Sequence, residues 1–187
     1  MEIKTWFVVF VIFVISRALI TQIIPPLLYT IIIFSVPLVY FIYKREFYLF
    51  YFNLTDTLPS IGINLTFSII FIMFLLVGGF LFGNYNWVLL LTSSISDIIL
   101  GLLTSFFQEM LFRYFIQYWF FKMTNNDLLS IILTSVASSI VLLPSIVESF
   151  TYLIMGLVIG YIFYKTKDIY GATMANWIIS TFIRVIA

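Results

Sequence analysis

Long apolar runs recur along this chain, and short polar or proline-containing segments separate them. About 20 apolar residues in a helix are enough to cross a bilayer. The runs therefore predict an all-α, polytopic membrane protein with about seven transmembrane helices, at 6–24, 27–43, 63–82, 94–122, 128–143, 147–164 and 169–186. Composition points the same way, because only 9% of the residues are charged, whereas a soluble domain is typically about 25% charged.

The pattern divides the chain into two units. We expect three spans and their connecting loops in residues 1–86, and a helical core in residues 87–187. The segment 47–60 mixes aromatic residues with polar residues and Pro59. This mixture is typical of an interfacial segment and loop, here between the second and third spans.

The basic residues of the predicted loops fall on one side of this topology. If the N-terminus is cytoplasmic, that side receives Lys4, Lys44, Arg45, Lys122, Lys165 and Lys167. The opposite side receives only Arg184, in the last turn of the last span. The positive-inside rule then predicts a protein integral to the cell membrane, with its N-terminus in the cytoplasm and its C-terminus outside.

The chain contains no histidine and no cysteine. This excludes disulfides, a thiolate nucleophile and cysteine–metal sites, and it removes the commonest metal ligand and the usual general base near neutral pH. We therefore expect no cofactor and no bound metal. The net charge of +1 does not favour nucleic acid as a partner.

One predicted helix, Ser94–Lys122, is apolar but carries a polar stripe on a single face. The residues of this stripe are Asp97, Gly101, Thr104, Ser105, Gln108 and Glu109. Arg113 follows Glu109 by four residues, which is the favourable acid-first order for a contact on a helix. A charge at mid-bilayer costs about 2.5–3.5 kcal/mol, so such residues usually face a protein interior. The stripe predicts a buried polar site centred on Gln108, Glu109 and Arg113.

The segment QEMLFR at 108–113 resembles the EE-xxx-R signature of the CPBP family, which comprises CAAX prenyl proteases and the bacteriocin-processing enzymes also called Abi proteins. The segment 156–166 is similar to the family's GxxxG-containing segment, and 169–180 lies where the family has an HxxxN motif. The resemblance covers the chain from Trp87 to the C-terminus and implies a CPBP-like helical core there.

The resemblance also implies a catalytic site, and this chain departs from it. In active members paired glutamates activate water, and histidines and an asparagine complete the site. Here Gln108 takes the position of the first glutamate, Leu143 stands where a histidine is expected, and the HxxxN motif reads Asn176-xxx-Ser180. The family's catalytic positions fall on Glu109, Gln108, Arg113, Asn176 and Ser180.

Three functions are compatible with these residues. The first is a catalytically degenerate CPBP-like protein that acts as a scaffold, chaperone or regulatory subunit for another membrane protein. The second is a divergent intramembrane endopeptidase that uses Glu109 as its base. The third is a bacteriocin self-immunity protein. The absence of histidine favours the first over the second, and in each case the partner is a membrane protein or membrane peptide within the lipid bilayer.

The plainest interpretation of the polar residues is structural. Glu109 and Arg113 would form an internal ion pair that holds the helices together. Asn176 and Ser180, four residues apart on one helix face, would form interhelical hydrogen bonds, each worth about 0.6–2 kcal/mol.

Overall fold

The computed structural model describes residues 52–82, 95–140 and 146–186, together with the isolated positions 39, 42 and 43. Apart from short turns these ranges are helical, and they contain no strand. The elements are α1 (Leu54–Phe82), α2 (Ile95–Glu109), a π-helical segment (Met110–Gln117), α3 (Tyr118–Thr124), α4 (Asp127–Ile140), α5 (Ile146–Thr166) and α6 (Ile169–Ile186). The predicted all-α class is confirmed for this part of the chain.

Three of the described helices are long and apolar enough to cross a membrane: Leu54–Gly78, Ile98–Thr124 and Glu148–Thr166. Asp127–Ile140 and Ile169–Ile183 are shorter apolar helices. The two predicted spans at 6–24 and 27–43 lie outside the described ranges, so the count of seven stays a prediction.

The loop predicted for 47–60 is wrong from residue 54 onward, because α1 begins at Leu54. Asn53 caps this helix: its side-chain oxygen accepts from the backbone N–H of Thr55 at 3.2 Å, which satisfies a donor at the helix start. Pro59 lies further in. Its fixed φ is compatible with a helix, and it deprives only the carbonyl of Thr55, an exposed residue, of a partner.

A stripe of buried small and polar residues on α1 packs against α6. Its members, spaced three or four residues apart, are Thr57, Ser60, Asn64 and Ser68. Gly171 of α6 meets this stripe so closely that a Cβ atom there would lie 2.5 Å from Ser60 Oγ and 2.7 Å from Asn64 Nδ2. Small residues thus let the two helix backbones approach, as they commonly do between membrane helices.

Small residues also let the backbones of α4 and α5 approach each other closely. Hydroxyl side chains line the buried face of α4 and bond to carbonyls of their own helix, as Ser135 Oγ does to the carbonyl of Ile131 at 2.7 Å. A Cβ at Gly156 would lie 3.1 Å from Ser135 Cβ, and one at Gly160 would lie 3.1 Å from Ile131 Cγ2. This geometry agrees with the close packing that the GxxxG spacing predicts.

Five chain segments line one cavity at one end of the bundle: the start of α1, the π-helical segment, the first part of α3, the start of α4 and the turn between α5 and α6. This end carries Lys165 and Lys167, which the predicted topology also places together. That it faces the cytoplasm stays a prediction.

Candidate functional site

The site begins where the long helix changes its pitch. α2 ends at Glu109, and the next eight residues, Met110–Gln117, form a π-helical segment before α3 continues the helix. Seven of those eight residues are buried. Segments of this kind are rare and are often found at functional sites. The sequence predicts the long helix but not this change of pitch.

Glu109 and Arg113 form a buried ion pair. Arg113 Nε donates to Glu109 Oε2 over 2.8 Å, and the two side chains are only 1% (arginine) and 3% (glutamate) exposed. The acid-first spacing of four residues therefore brings the two groups together as expected. Each charge is compensated directly, which is the condition under which charged side chains are tolerated away from water.

The second oxygen of Glu109 is held by α6. Asn176 Nδ2 donates to Glu109 Oε1 over 2.7 Å, and Ser180 Oγ donates to Asn176 Oδ1 over 2.8 Å. Tyr152 OH of α5 in turn donates to Ser180 Oγ over 2.8 Å. One chain of hydrogen bonds thus joins the π-helical segment to α6 and α5, and we call it the Glu109 network.

Tyr152 belongs to the network but is not among the predicted site residues. A signal was available: a tyrosine inside an apolar helix usually finds a partner for its hydroxyl. Tyr152 also precedes Gly156 by four residues, so it lies on the face of α5 that the GxxxG spacing marks as buried against its neighbours.

Gln108 lies outside the Glu109 network. It is half-buried and precedes Glu109 by one residue, so it points to a different side of the helix. The structure therefore brings together Glu109, Arg113, Asn176 and Ser180 of the five predicted site residues. Leu143 and the side chain of Asp97 fall outside the described part of the chain.

The network holds the Glu109 carboxylate by two protein donors, one on each oxygen. The residue is 2% exposed, so a water molecule has little access to either oxygen. The described residues contain no group of three or more histidine, cysteine, aspartate or glutamate side chains that could hold a metal ion. What the arrangement does well is to fix three helices relative to one another through charge-assisted hydrogen bonds.

Fold and site together define an all-helical membrane protein with a buried glutamate–arginine centre. Residues 90–182, about half of the chain, match the model of the type II CAAX prenyl endopeptidase Rce1-like family. The chain belongs to this family, and the resemblance to CPBP proteins that its motifs carry is confirmed. Comparison with curated proteins and with solved structures finds no match.

Proposed function

We propose that this chain is a non-proteolytic member of its family and acts in the cell membrane as a scaffold, chaperone or regulatory subunit for another membrane protein. The observation that carries the proposal is the state of Glu109. Both of its oxygens accept hydrogen bonds from protein donors, Arg113 Nε and Asn176 Nδ2. A general base must be within reach of the water that it activates, and here structural partners occupy the carboxylate.

The residues around Glu109 support the same conclusion. Gln108 replaces the neighbouring glutamate that the family resemblance leads us to expect, and a side-chain amide cannot take up a proton. The 187-residue chain contains no histidine to relay one. General acid–base assistance is worth about 10²- to 10⁴-fold in rate, and we expect most of that contribution to be missing.

The exposed surface supports a partner within the membrane. Large apolar side chains of α1 are exposed, among them Ile69, Ile70, Phe74 and Val77. In a bilayer this surface contacts lipid or the helices of another protein, while the buried face of α1 packs on α6. A subunit held mainly by packing would use a surface of this kind.

The test is a cleavage assay with the purified full-length protein in mild detergent. A farnesylated peptide ending in a CAAX sequence is incubated with it, and the products are followed by mass spectrometry beside a proteolytically active family member. We expect no product from the wild type. The triple variant Gln108→Glu, Leu143→His, Asn176→His restores the paired glutamate and the histidines of the family pattern, with Ser180 still at the asparagine position, and is the gain-of-function comparison. Wild-type cleavage that Glu109→Gln abolishes would overturn the proposal.

A second assay addresses the partner directly. The protein is extracted from its native host in mild detergent, and the polypeptides that co-purify in stoichiometric amount are identified. A membrane protein recovered with the wild type, and lost when exposed Phe74 and Val77 are both changed to Ala, supports the subunit role. Recovery of the chain alone at every detergent concentration argues against it.

The family match favours one second candidate, a divergent intramembrane endopeptidase that uses Glu109. The matched range 90–182 includes this glutamate and its partner Asn176. In that case the network would have to open so that Glu109 could contact water, and activity would rise when Asn176→Ala frees one oxygen. The non-proteolytic role predicts no activity in the same variant. The bacteriocin self-immunity role rests on the family resemblance alone.

A further inference from the structure

A cavity of about 1020 Å³ lies at the end of the bundle where each of the three described membrane-length helices begins or ends. Its lining includes Asp56 from the start of the first of these helices, Phe121 near the end of the second and Thr166 at the end of the third. Ligand-binding cavities commonly measure about 300–1,000 Å³. The cavity is therefore large enough for a ligand, and it lies at the level where the apolar helices give way to turns.

Charges of both signs surround Tyr164 in the wall of this cavity. The ammonium groups of Lys165 and Lys167 lie 5.3 Å and 4.6 Å from the centroid of the Tyr164 ring. The side chain of Asp127 contacts the hydroxyl of the same tyrosine. All four residues line the cavity, and we call them the Tyr164 cluster.

The lysines of the Tyr164 cluster are not neutralised by neighbouring carboxylates. Within the described ranges, neither Lys165 nor Lys167 forms an ion pair. A cation–π contact is made to the face of a ring, and it does not use up the three N–H donors of an ammonium group. The cluster thus presents positively charged donors beside the ring of Tyr164 and a negatively charged acceptor beside its hydroxyl.

The other two aspartates of the lining have different roles. Asp168 is buried, and its two oxygens accept from Thr57 Oγ1 over 3.2 Å and from a backbone N–H of α6 over 2.7 Å. It therefore caps the start of α6. Asp56 Oδ2 accepts from Asn53 Nδ2 over 2.9 Å at the start of α1. Asp127 is left as the carboxylate of the Tyr164 cluster.

A ligand that matches the Tyr164 cluster carries an anionic acceptor and a cationic donor joined by a short linker. A simple anion would bind the lysines but would meet Asp127 as a like charge, and a simple cation would be repelled by Lys165 and Lys167. A phosphate diester joined through two carbons to a primary ammonium group satisfies both sides, because each end forms charge-assisted hydrogen bonds. This is the phosphoethanolamine headgroup.

The aromatic residues of the lining argue against a choline headgroup. A quaternary ammonium ion has no N–H to donate to Asp127, so it would depend on the faces of aromatic rings. The ring of Tyr164 already carries two lysine ammonium groups, and Lys122 Nζ lies 4.7 Å from the centroid of the Tyr118 ring. A second cation at either ring would be repelled by the first.

The surroundings of the cluster favour a lipid over a soluble molecule with the same headgroup. Leu128, next to Asp127, and Tyr161, four residues before Lys165, are exposed large apolar side chains. The acyl chains attached to a headgroup in the cavity could lie along such a surface. Tyrosines and lysines at the ends of spanning helices are also typical of the headgroup level of a bilayer.

We propose that the Tyr164 cluster binds the headgroup of phosphatidylethanolamine, with the phosphate at Lys165 and Lys167 and the ammonium group at Asp127. This lipid site goes beyond the proposed function and does not depend on it. Glu109 is not among the lining residues, and binding involves no chemical step.

The test compares three dioleoyl phospholipids that share a phosphate diester and differ in the headgroup beyond it: ethanolamine, choline and glycerol. The rise in Tm of the purified full-length protein, washed in mild detergent, is measured against the concentration of each lipid. Since only ethanolamine offers N–H donors with a positive charge, we expect about ten-fold more of the other two lipids to be needed for the same rise. Glycerophosphoethanolamine, which lacks acyl chains, is the soluble arm. A soluble arm as potent as the lipid would overturn the assignment to a lipid.

Two lysine variants separate the phosphate contact from general surface charge. Lys167→Gln removes a donor of the cluster and should raise the concentration needed of all three lipids. Lys122→Gln is its matched control, because Lys122 also lies over a tyrosine ring, at 4.7 Å against 4.6 Å for Lys167, but does not line the cavity. It should keep the wild-type response. Equal losses in the two variants would reduce the effect to surface charge and overturn the proposal.

Asp127→Asn tests the ammonium contact. It should remove the advantage of the ethanolamine lipid over the glycerol lipid and leave the response to the glycerol lipid in place. Glu148→Gln removes one carboxylate near the opposite end of α5, outside the lining, and should keep the advantage. Equal responses of the wild type to all three lipids, no response to any of them, or an advantage that survives Asp127→Asn would each overturn the proposal.

Discussion

Asn176 and Glu109 are 67 residues apart in the chain, yet their side chains meet through a hydrogen bond of 2.7 Å in the buried centre of the bundle. This contact ties α6 to the start of the π-helical segment. The same carboxylate binds Arg113 through its other oxygen. Glu109 is thus the junction between a contact within one helix and a contact between helices.

The Glu109–Arg113 pair should be strongly coupled in stability measurements. Glu109→Ala or Arg113→Ala each leaves an uncompensated buried charge, which costs about 3–5 kcal/mol in soluble proteins. The double variant leaves neither charge and should lose less than the sum of the two single losses. The measurement is the free energy of unfolding in detergent for all four proteins of the cycle. Strict additivity would mean that the two residues do not interact.

Much of this centre was predictable from the sequence because its spacing is local. The Glu109–Arg113 contact follows from acid-first spacing on one helix, and the pairing of Asn176 with Ser180 follows from the same period. Gln108 belongs to the predicted site because a stripe defined over a whole helix is broader than the face that is buried. The family motif pointed to it as well.

The features that the sequence does not predict depend on tertiary packing or on backbone geometry, and a hydrophobicity pattern carries no information on either. An apolar stretch such as 110–117 has the same pattern whether it is α- or π-helical, so the change of pitch left no signal. The predicted loop extends too far because the polar residues and Pro59 of 47–60 are typical of a loop, whereas the side chain of Asn53 caps a helix that begins at Leu54. The hydrogen bond from Gln117 Nε2 to the carbonyl of Gly160 joins residues 43 apart in the chain, and spacing along one helix does not indicate such a contact.

The hydrogen bonds of the Glu109 network should contribute unequally to the free energy of unfolding, with the bond to the charged carboxylate contributing most. Asn176→Ala leaves one oxygen of a buried carboxylate unpaired and should cost about 1–3 kcal/mol, or more because the group is charged. Tyr152→Phe removes one neutral hydrogen bond at the far end and should cost about 0.5–1.5 kcal/mol. Chemical unfolding in detergent measures both.

Thr104→Val is the control for this series. Among the described residues its hydroxyl bonds only to the carbonyl of Leu100 in its own helix, and we expect a change within about 0.5 kcal/mol. If Tyr152→Phe lowered the free energy of unfolding as much as Asn176→Ala does, the expected order of the two contributions would be wrong.

The topology should follow the basic residues. The wild type has no cysteine, so single substitutions can be labelled in intact cells with a membrane-impermeant thiol reagent. We expect Lys122→Cys and Lys165→Cys to react only after the membrane is permeabilised, because both lie on the predicted cytoplasmic side. Asn84→Cys and Ser145→Cys should react from outside. Labelling of Lys122→Cys in intact cells would refute the seven-span topology.

The contact between α1 and α6 should be more sensitive to one added methyl group at Gly171 than at Gly62. A Cβ at Gly171 would lie 3.0 Å from the backbone carbon of Ser60, which a side-chain rotation cannot relieve. Gly171→Ala should therefore push the two helices apart and cost about 1–3 kcal/mol. At Gly62 a Cβ meets nothing within 4 Å, so Gly62→Ala should stabilise α1 by up to about 1 kcal/mol. Thermal unfolding of both variants in the same detergent measures the difference, and equal Tm values would show that α1 and α6 do not approach each other at Gly171.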